Sequence, residues 1–131
     1  MGNDFQNIMG PVVSVKCSCL YPHEEVDTER VIKIINEIRK TNTLKFPIIV
    51  DENSYVIIDG HHRFRAIQQM GYSMVPVYLI NYLSSDIGFT CDSPLKDKSV
   101  IVQAALNNKL FPTKSTLHTI RGIRICEFNS S

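Results

Sequence analysis

Ile57-Ile58-Asp59-Gly60-His61-His62-Arg63-Phe64-Arg65-Ala66 reads as the end of a strand, a glycine turn and the start of a helix. Two β-branched apolar residues followed by Asp-Gly end a strand. Gly60 supplies a positive φ and lets a backbone approach closely. A helix opens at His61 or His62 and runs through Ala66, Ile67 and Met70 to Gly71, a C′ glycine. Its first turn points N–H groups and the positive end of the dipole outward, which favours an anion and a phosphate above all. Arg63 can add a bidentate fork, and His61 and His62 can add donors. Asp59 stands at the carboxyl end of its strand, where open α/β sheets place ligands. The same composition also fits a plain turn with a solvated basic helix start. A His-His pair fits a metal too, but no third ligand lies nearby in sequence.

Upstream, Val12 to Leu20 alternates in part and predicts a first strand, and Pro22 makes Tyr21 to Glu25 a loop. Asp27 is an N-cap for a helix to about Lys40. Val31, Ile34, Ile35 and Ile38 give that helix one apolar face. Thr41-Asn42-Thr43 ends it. Phe46 to Val50 and Tyr55 to Ile58 predict two strands of a hairpin around the Asp51 to Ser54 turn. Downstream, Val75 to Ile80 predicts a strand, and Ser99 caps a helix through Leu106. Phe111 to His118 reads as a loop, and Ile120 to Phe128 as a closing edge strand. The expected fold class is α/β (α+β), a small mixed sheet flanked by helices. Its 131 residues make a single domain, with residues 1–10 a loose arm.

Lys and Arg number 14 against 13 Asp and Glu, a net charge of +1. That balance argues against a general nucleic-acid or membrane-surface binder. Locally, Lys96, Lys98, Lys109, Lys114, Arg121 and Arg124 face only Asp97, a bias that fits a phosphate-bearing partner. No apolar run approaches the roughly 20 residues that span a bilayer. The N-terminal MGNDFQNIMG has no signal-peptide pattern, and Gln6 breaks a myristoylation motif at Gly2. A cytoplasmic protein is expected. Cys17, Cys19, Cys91 and Cys126 show no zinc spacing and are expected to be reduced.

At the Asp59–Arg63 turn the sequence resembles the ParB/sulfiredoxin superfamily, whose compact α/β fold binds phosphate at a Gly-x-x-Arg turn. Sulfiredoxins carry Gly-Cys-His-Arg there, with a catalytic cysteine. His61 stands at that position here, so sulfinic-acid repair has no nucleophile. Chromosome-partitioning ParB proteins carry Gly-Glu-Arg-Arg, and the glutamate and first arginine are absent. The chain is most similar to the free-serine kinases of the superfamily, whose turn resembles Val-Asp-Gly-His-His-Arg. Two further segments agree: Pro22-His23-Glu24 with their Pro-His-Glu loop, and Phe111-Pro112-Thr113-Lys114-Ser115-Thr116-Leu117-His118 with their closing loop.

The resemblance implies phosphorylation of free L-serine to O-phospho-L-serine, with ADP or ATP as donor and Mg²⁺. It makes Glu24 the general base, with Asp59 and His62 also catalytic. Gly60, His61, His62, Arg63, Lys114, Ser115, Thr116 and His118 would hold nucleotide phosphates. Asp59 would orient the donor or help hold Mg²⁺. Thr90 and Asp92, in the loop Phe89-Thr90-Cys91-Asp92, would bind serine. The expected partners are serine and nucleotide, without membrane or nucleic acid. Charge alone leaves Glu24 and Glu25 equal as bases, and Glu24, Glu25, Asp27 and Glu29 can all complement a helix dipole. The resemblance favours Glu24 because it directly follows His23. The alternative is a ParB-like nucleotide-binding regulator or DNA-associated module without kinase activity.

Overall fold

The computed structural model describes residues 12–84, 87–91, 98–110, 116–120 and 123–124. In chain order they form β1 (Val12–Lys16), a 3-10 turn (Cys17–Cys19), α1 (Thr28–Thr41), β2 (Ile48–Asp51), β3 (Ile57–Asp59), α2 (His61–Gln69), β4 (Met74–Ile80), β5 (Ile87–Cys91), α3 (Lys98–Leu106), β6 (Thr116–Ile120) and β7 (Ile123–Arg124). The main sheet has the order β1-β4-β2-β3. β4 runs antiparallel to β1 and parallel to β2, and β2 runs antiparallel to β3. β5, β6 and β7 form a second, antiparallel sheet. This is the mixed α/β arrangement expected from the sequence.

Both faces of the main sheet are covered, and strand parity decides which residues go where. Ile48 and Val50, with Val75 and Val77, turn to one face and pack with Ile57. There they meet Val31 and Ile38 of α1, and Phe64, Ala66 and Ile67 of α2. Ile49, Ile58, Tyr78 and Ile80 turn to the other face, against Ile101 and Ala105 of α3. Fully burying each such aliphatic side chain contributes roughly 1.5–3 kcal/mol. Pro76 is tolerated in β4 because pairing with β2 begins only at Val77.

The predicted helix over 27–40 is α1. Asp27 caps it by accepting the Glu29 N–H at 3.1 Å, and Asn42 ends it in the left-handed region at φ 59°. The first strand is shorter than its alternation implies. Cys17 and Leu20 are both buried in the helix-side core. They lie three residues apart, a spacing that a 3-10 turn, not a strand, puts on one face. Tyr55 stands at φ 61°, so β3 starts after it. The loop expected over 111–118 is strand from Thr116 onward. Of the expected strand 120–128, only Ile120 and Ile123–Arg124 are described, as the end of β6 and as β7. The expected N-terminal arm lies outside the described residues. Among those residues, no helix is long and apolar enough to cross a membrane.

One buried carboxylate knits the end of β2 to the chain beyond β4. Asp51 accepts the Ser54 N–H at 2.9 Å, the Ser54 hydroxyl at 2.6 Å and the Tyr82 N–H at 3.1 Å. Hydrogen bonds to a charged group contribute roughly 1.5–3 kcal/mol each. Asp51→Ala should therefore lower the unfolding free energy by about 2–4 kcal/mol in urea denaturation, and Ser54→Ala by about 1 kcal/mol. Equal effects would show that the Tyr82 bond contributes nothing.

Candidate functional site

The predicted turn sits between β3 and α2. Gly60 takes φ 99°, and no side chain caps the helix that starts at His61. A Cβ on Gly60 would lie 2.7 Å from Arg63 Nη2 and 3.2 Å from Ile48 Cγ1. The backbone conformation therefore demands glycine, and a Cβ there would also push the Arg63 guanidinium aside. The Arg63 guanidinium folds back over this glycine, and its Nη2 donates to Asp59 Oδ2 at 3.1 Å. One arm of the expected phosphate fork is thus committed to Asp59. Arg63 Nε is buried and has no hydrogen-bond partner among the described residues. Burial pulls the guanidinium's proton affinity down, and the Asp59 charge opposes that. A buried guanidinium N–H is a donor that an anionic oxygen satisfies.

His61 and His62 do something the sequence reading did not assign. Adjacent helical residues point about 100° apart, so the two rings reach two different places. His61 Nε2 accepts the backbone N–H of His23 at 3.0 Å, and His62 Nε2 accepts that of Asp27 at 3.0 Å. The loop between them carries Glu24 and Glu25. Each Nε2 is an acceptor, so the neutral ring carries its proton on Nδ1. Any donation to an anion must come from Nδ1.

His23 is fully buried. Its Nδ1 lies 2.7 Å from the Ile57 carbonyl oxygen, which can only accept, so Nδ1 carries the proton. Its ring meets that of His61 edge to face, with centroids 4.5 Å apart. The loop is also stitched to the β3 side of the sheet. The Tyr21 N–H donates to the Tyr55 carbonyl at 3.0 Å, and the Ile57 N–H donates to the Tyr21 carbonyl at 2.9 Å. The sequence signal for this role was a histidine beside proline, 38 residues from a His-His pair that needed two partners.

The acids sort by position. The Glu24 side chain is only 10% exposed, and its Oε2 lies 3.9 Å from His23 Nε2. Glu25 is exposed. Asp27 is occupied in capping α1. Thr90, expected in a loop, lies within β5. The register places Phe89 opposite His118, Thr90 opposite Leu117 and Cys91 opposite Thr116. Thr90 and the closing-loop positions Thr116 and His118 therefore share one sheet. Asp92, Lys114 and Ser115 lie outside the described residues. No group of three His, Cys, Asp or Glu side chains suited to a metal occurs among the described residues.

Residues 5–86 match the ParB N-terminal domain family. An ATP-dependent L-serine kinase of Desulfurococcus mucosus is 34% identical over 79 residues, which cover 57% of this chain and 31% of that protein. A ParB-like protein of Sulfolobus acidocaldarius is 43% identical over 72 residues, covering 52% of this chain and 34% of the other. The chain's match thus spans about a third of the length of these relatives. A solved structure described as a free serine kinase in complex with AMP superposes with a TM-score of 0.78 at 11% identity, covering 89% of this chain and 93% of that one. At that identity the likeness is one of fold. The family match takes in both the Pro22–Glu24 loop and the Gly60–Arg63 turn and covers well over half of the residues. The chain belongs to the ParB N-terminal domain family.

Proposed function

We propose that this protein is a nucleotide-dependent kinase that phosphorylates free L-serine to O-phospho-L-serine. The observation that carries the reading is the pair of 3.0 Å hydrogen bonds from the His23 and Asp27 backbone to His61 and His62. They fasten the loop bearing a shielded carboxylate to a turn suited to phosphate. Phosphoryl transfer is mostly positioning and charge neutralisation, so a base held beside a phosphate cradle is the essential requirement. The L-serine kinase of Desulfurococcus mucosus, which this chain resembles, supplies the acceptor.

In this reading the α2 N-terminus, Gly60 and Arg63 bind the donor phosphates, with His61 and His62 holding the turn and the loop in register. Lys114, Ser115, Thr116 and His118 approach from the closing segment. Thr90 and Asp92 recognise the amino acid. Glu24 accepts the serine hydroxyl proton as the oxygen attacks phosphorus, and the bond from phosphorus to the departing nucleotide breaks. The donor is ATP, leaving ADP, or ADP, leaving AMP. Mg²⁺ would neutralise phosphate charge. It commonly binds through phosphates and one or two carboxylates, of which Asp59 would supply one. On this reading the protein is a cytoplasmic enzyme of amino-acid metabolism.

The test incubates the protein with L-serine, Mg²⁺ and either ATP or ADP, and follows O-phosphoserine by phosphorus NMR. Product is expected with one of the two donors, and Glu24→Gln should lower turnover by roughly 10²–10⁴-fold, the usual contribution of a general base. Nucleotide binding without product from either donor would contradict the kinase and favour a ParB-like regulator.

Gly60→Ala provides a second check. The added methyl displaces the Arg63 guanidinium and strains the turn. Nucleotide affinity by calorimetry should fall at least about tenfold, or 1.4 kcal/mol. Unchanged affinity would place the phosphates elsewhere.

A further inference from the structure

α1 opens beside the Gly60–Arg63 turn, and Arg30 lies in its first turn. The Asp27 N–H donates to His62 Nε2 at 3.0 Å, which brings the start of α1 against the start of α2. Residues three apart are neighbours on a helix surface, so Arg30 stands one turn from Asp27, close to where α2 begins. Val31, the next residue, is buried in the core that the two helices share. Arg30 itself is exposed. Its backbone is therefore held in place while its guanidinium stands in water.

The charges report the same closeness. Burial is the main cause that lowers the proton affinity of the Arg63 guanidinium. Asp59 opposes it, and the positive charge of Arg30 lowers it further. Two guanidinium groups within reach of each other repel. Two nearby carboxylates already have other work: Asp59 accepts from Arg63, and Asp27 caps α1. An anion bound between the arginines turns their repulsion into attraction to both. Arg63 Nε points to an anion as well, since it is buried with no hydrogen-bond partner among the described residues.

We infer that Arg30 is a second phosphate-binding residue, which takes the phosphate next to the one held by Arg63 and the start of α2. The inference rests on the phosphate reading of the Gly60–Arg63 turn, and not on serine as the acceptor. A nucleoside di- or triphosphate has a neighbouring phosphate for Arg30 to close on. A monophosphate has none. Arg30 therefore favours a phosphate donor over a nucleoside monophosphate.

The affinities of ATP, ADP and AMP, measured by calorimetry with Mg²⁺ on the wild type, Arg30→Gln and Arg30→Lys, test this. Arg30→Gln should weaken ATP and ADP by about tenfold or more, the scale of one charge-assisted hydrogen bond. It should leave AMP almost unchanged. Arg30→Lys keeps the charge and loses the fork, so it should recover part of the loss. The thermal midpoint of both variants should match the wild type, because Arg30 is exposed. Unchanged ATP and ADP affinities would overturn the inference and leave the turn as the phosphate site. An equal loss for AMP would overturn the assignment to a second phosphate. A wild type that binds none of the three would refute the phosphate reading, and the inference with it. A wild type that binds nucleotide and makes no phosphoserine would refute the kinase, while the three affinities still decide the role of Arg30.

Discussion

Two imidazoles accepting two backbone N–H groups hold this site together. His61 and His62 are neighbours on the first turn of α2, and their partners, His23 and Asp27, bracket the loop that carries Glu24. The acceptors are ring nitrogens on a helix and the donors are main-chain amides, so the geometry has little slack. Replacing either histidine would remove a partner from a backbone N–H and free one end of the loop. The remaining features of the site can be read from this constraint. Glycine at position 60 lets the turn close, the Arg63–Asp59 pair braces it, and His23 fills the space between loop and sheet.

The rest of the fold serves to place these two pieces. β3 delivers Asp59 and Gly60, and the same strand offers the Ile57 carbonyl that fixes the His23 ring. α1 begins where the loop ends, and its own N-cap, Asp27, is the residue whose N–H reaches His62. Helix capping and site assembly therefore meet in one residue, the side chain serving α1 and the backbone serving α2. Packing of α1 and α2 on one sheet face, through Val31, Ile38, Phe64 and Ile67, keeps the two helix starts in register.

Local punctuation made the turn legible from sequence. Asp-Gly after a β-branched pair, Asp27 ahead of an i, i+3, i+4, i+7 apolar stripe, and the Asp51–Ser54 turn each act within a few residues, and each stands where it was expected. Features that depend on distant partners did not show. β5 takes its identity from β6, whose paired residues lie more than 20 positions away, and its Gly88 weakens any strand pattern. The 3-10 turn at Cys17–Cys19 was hidden because two apolar residues three apart look like imperfect alternation. His23 belongs to the Pro22-His23-Glu24 motif, but its partners Ile57 and His61 are 34 and 38 positions away. Nothing in its neighbourhood announced a buried hub. The sequence offers Arg63 as a bidentate fork and cannot show that the side chain folds back onto Asp59.

Amide hydrogen exchange of His23 and Asp27 tests the tether most directly. The account predicts that both amides are protected from exchange in the wild type. It also predicts that His61→Ala selectively speeds exchange at His23 and His62→Ala at Asp27, while amides of β2 and β4 stay protected. Rapid exchange at His23 and Asp27 in the wild type, or rates indifferent to both substitutions, would contradict it.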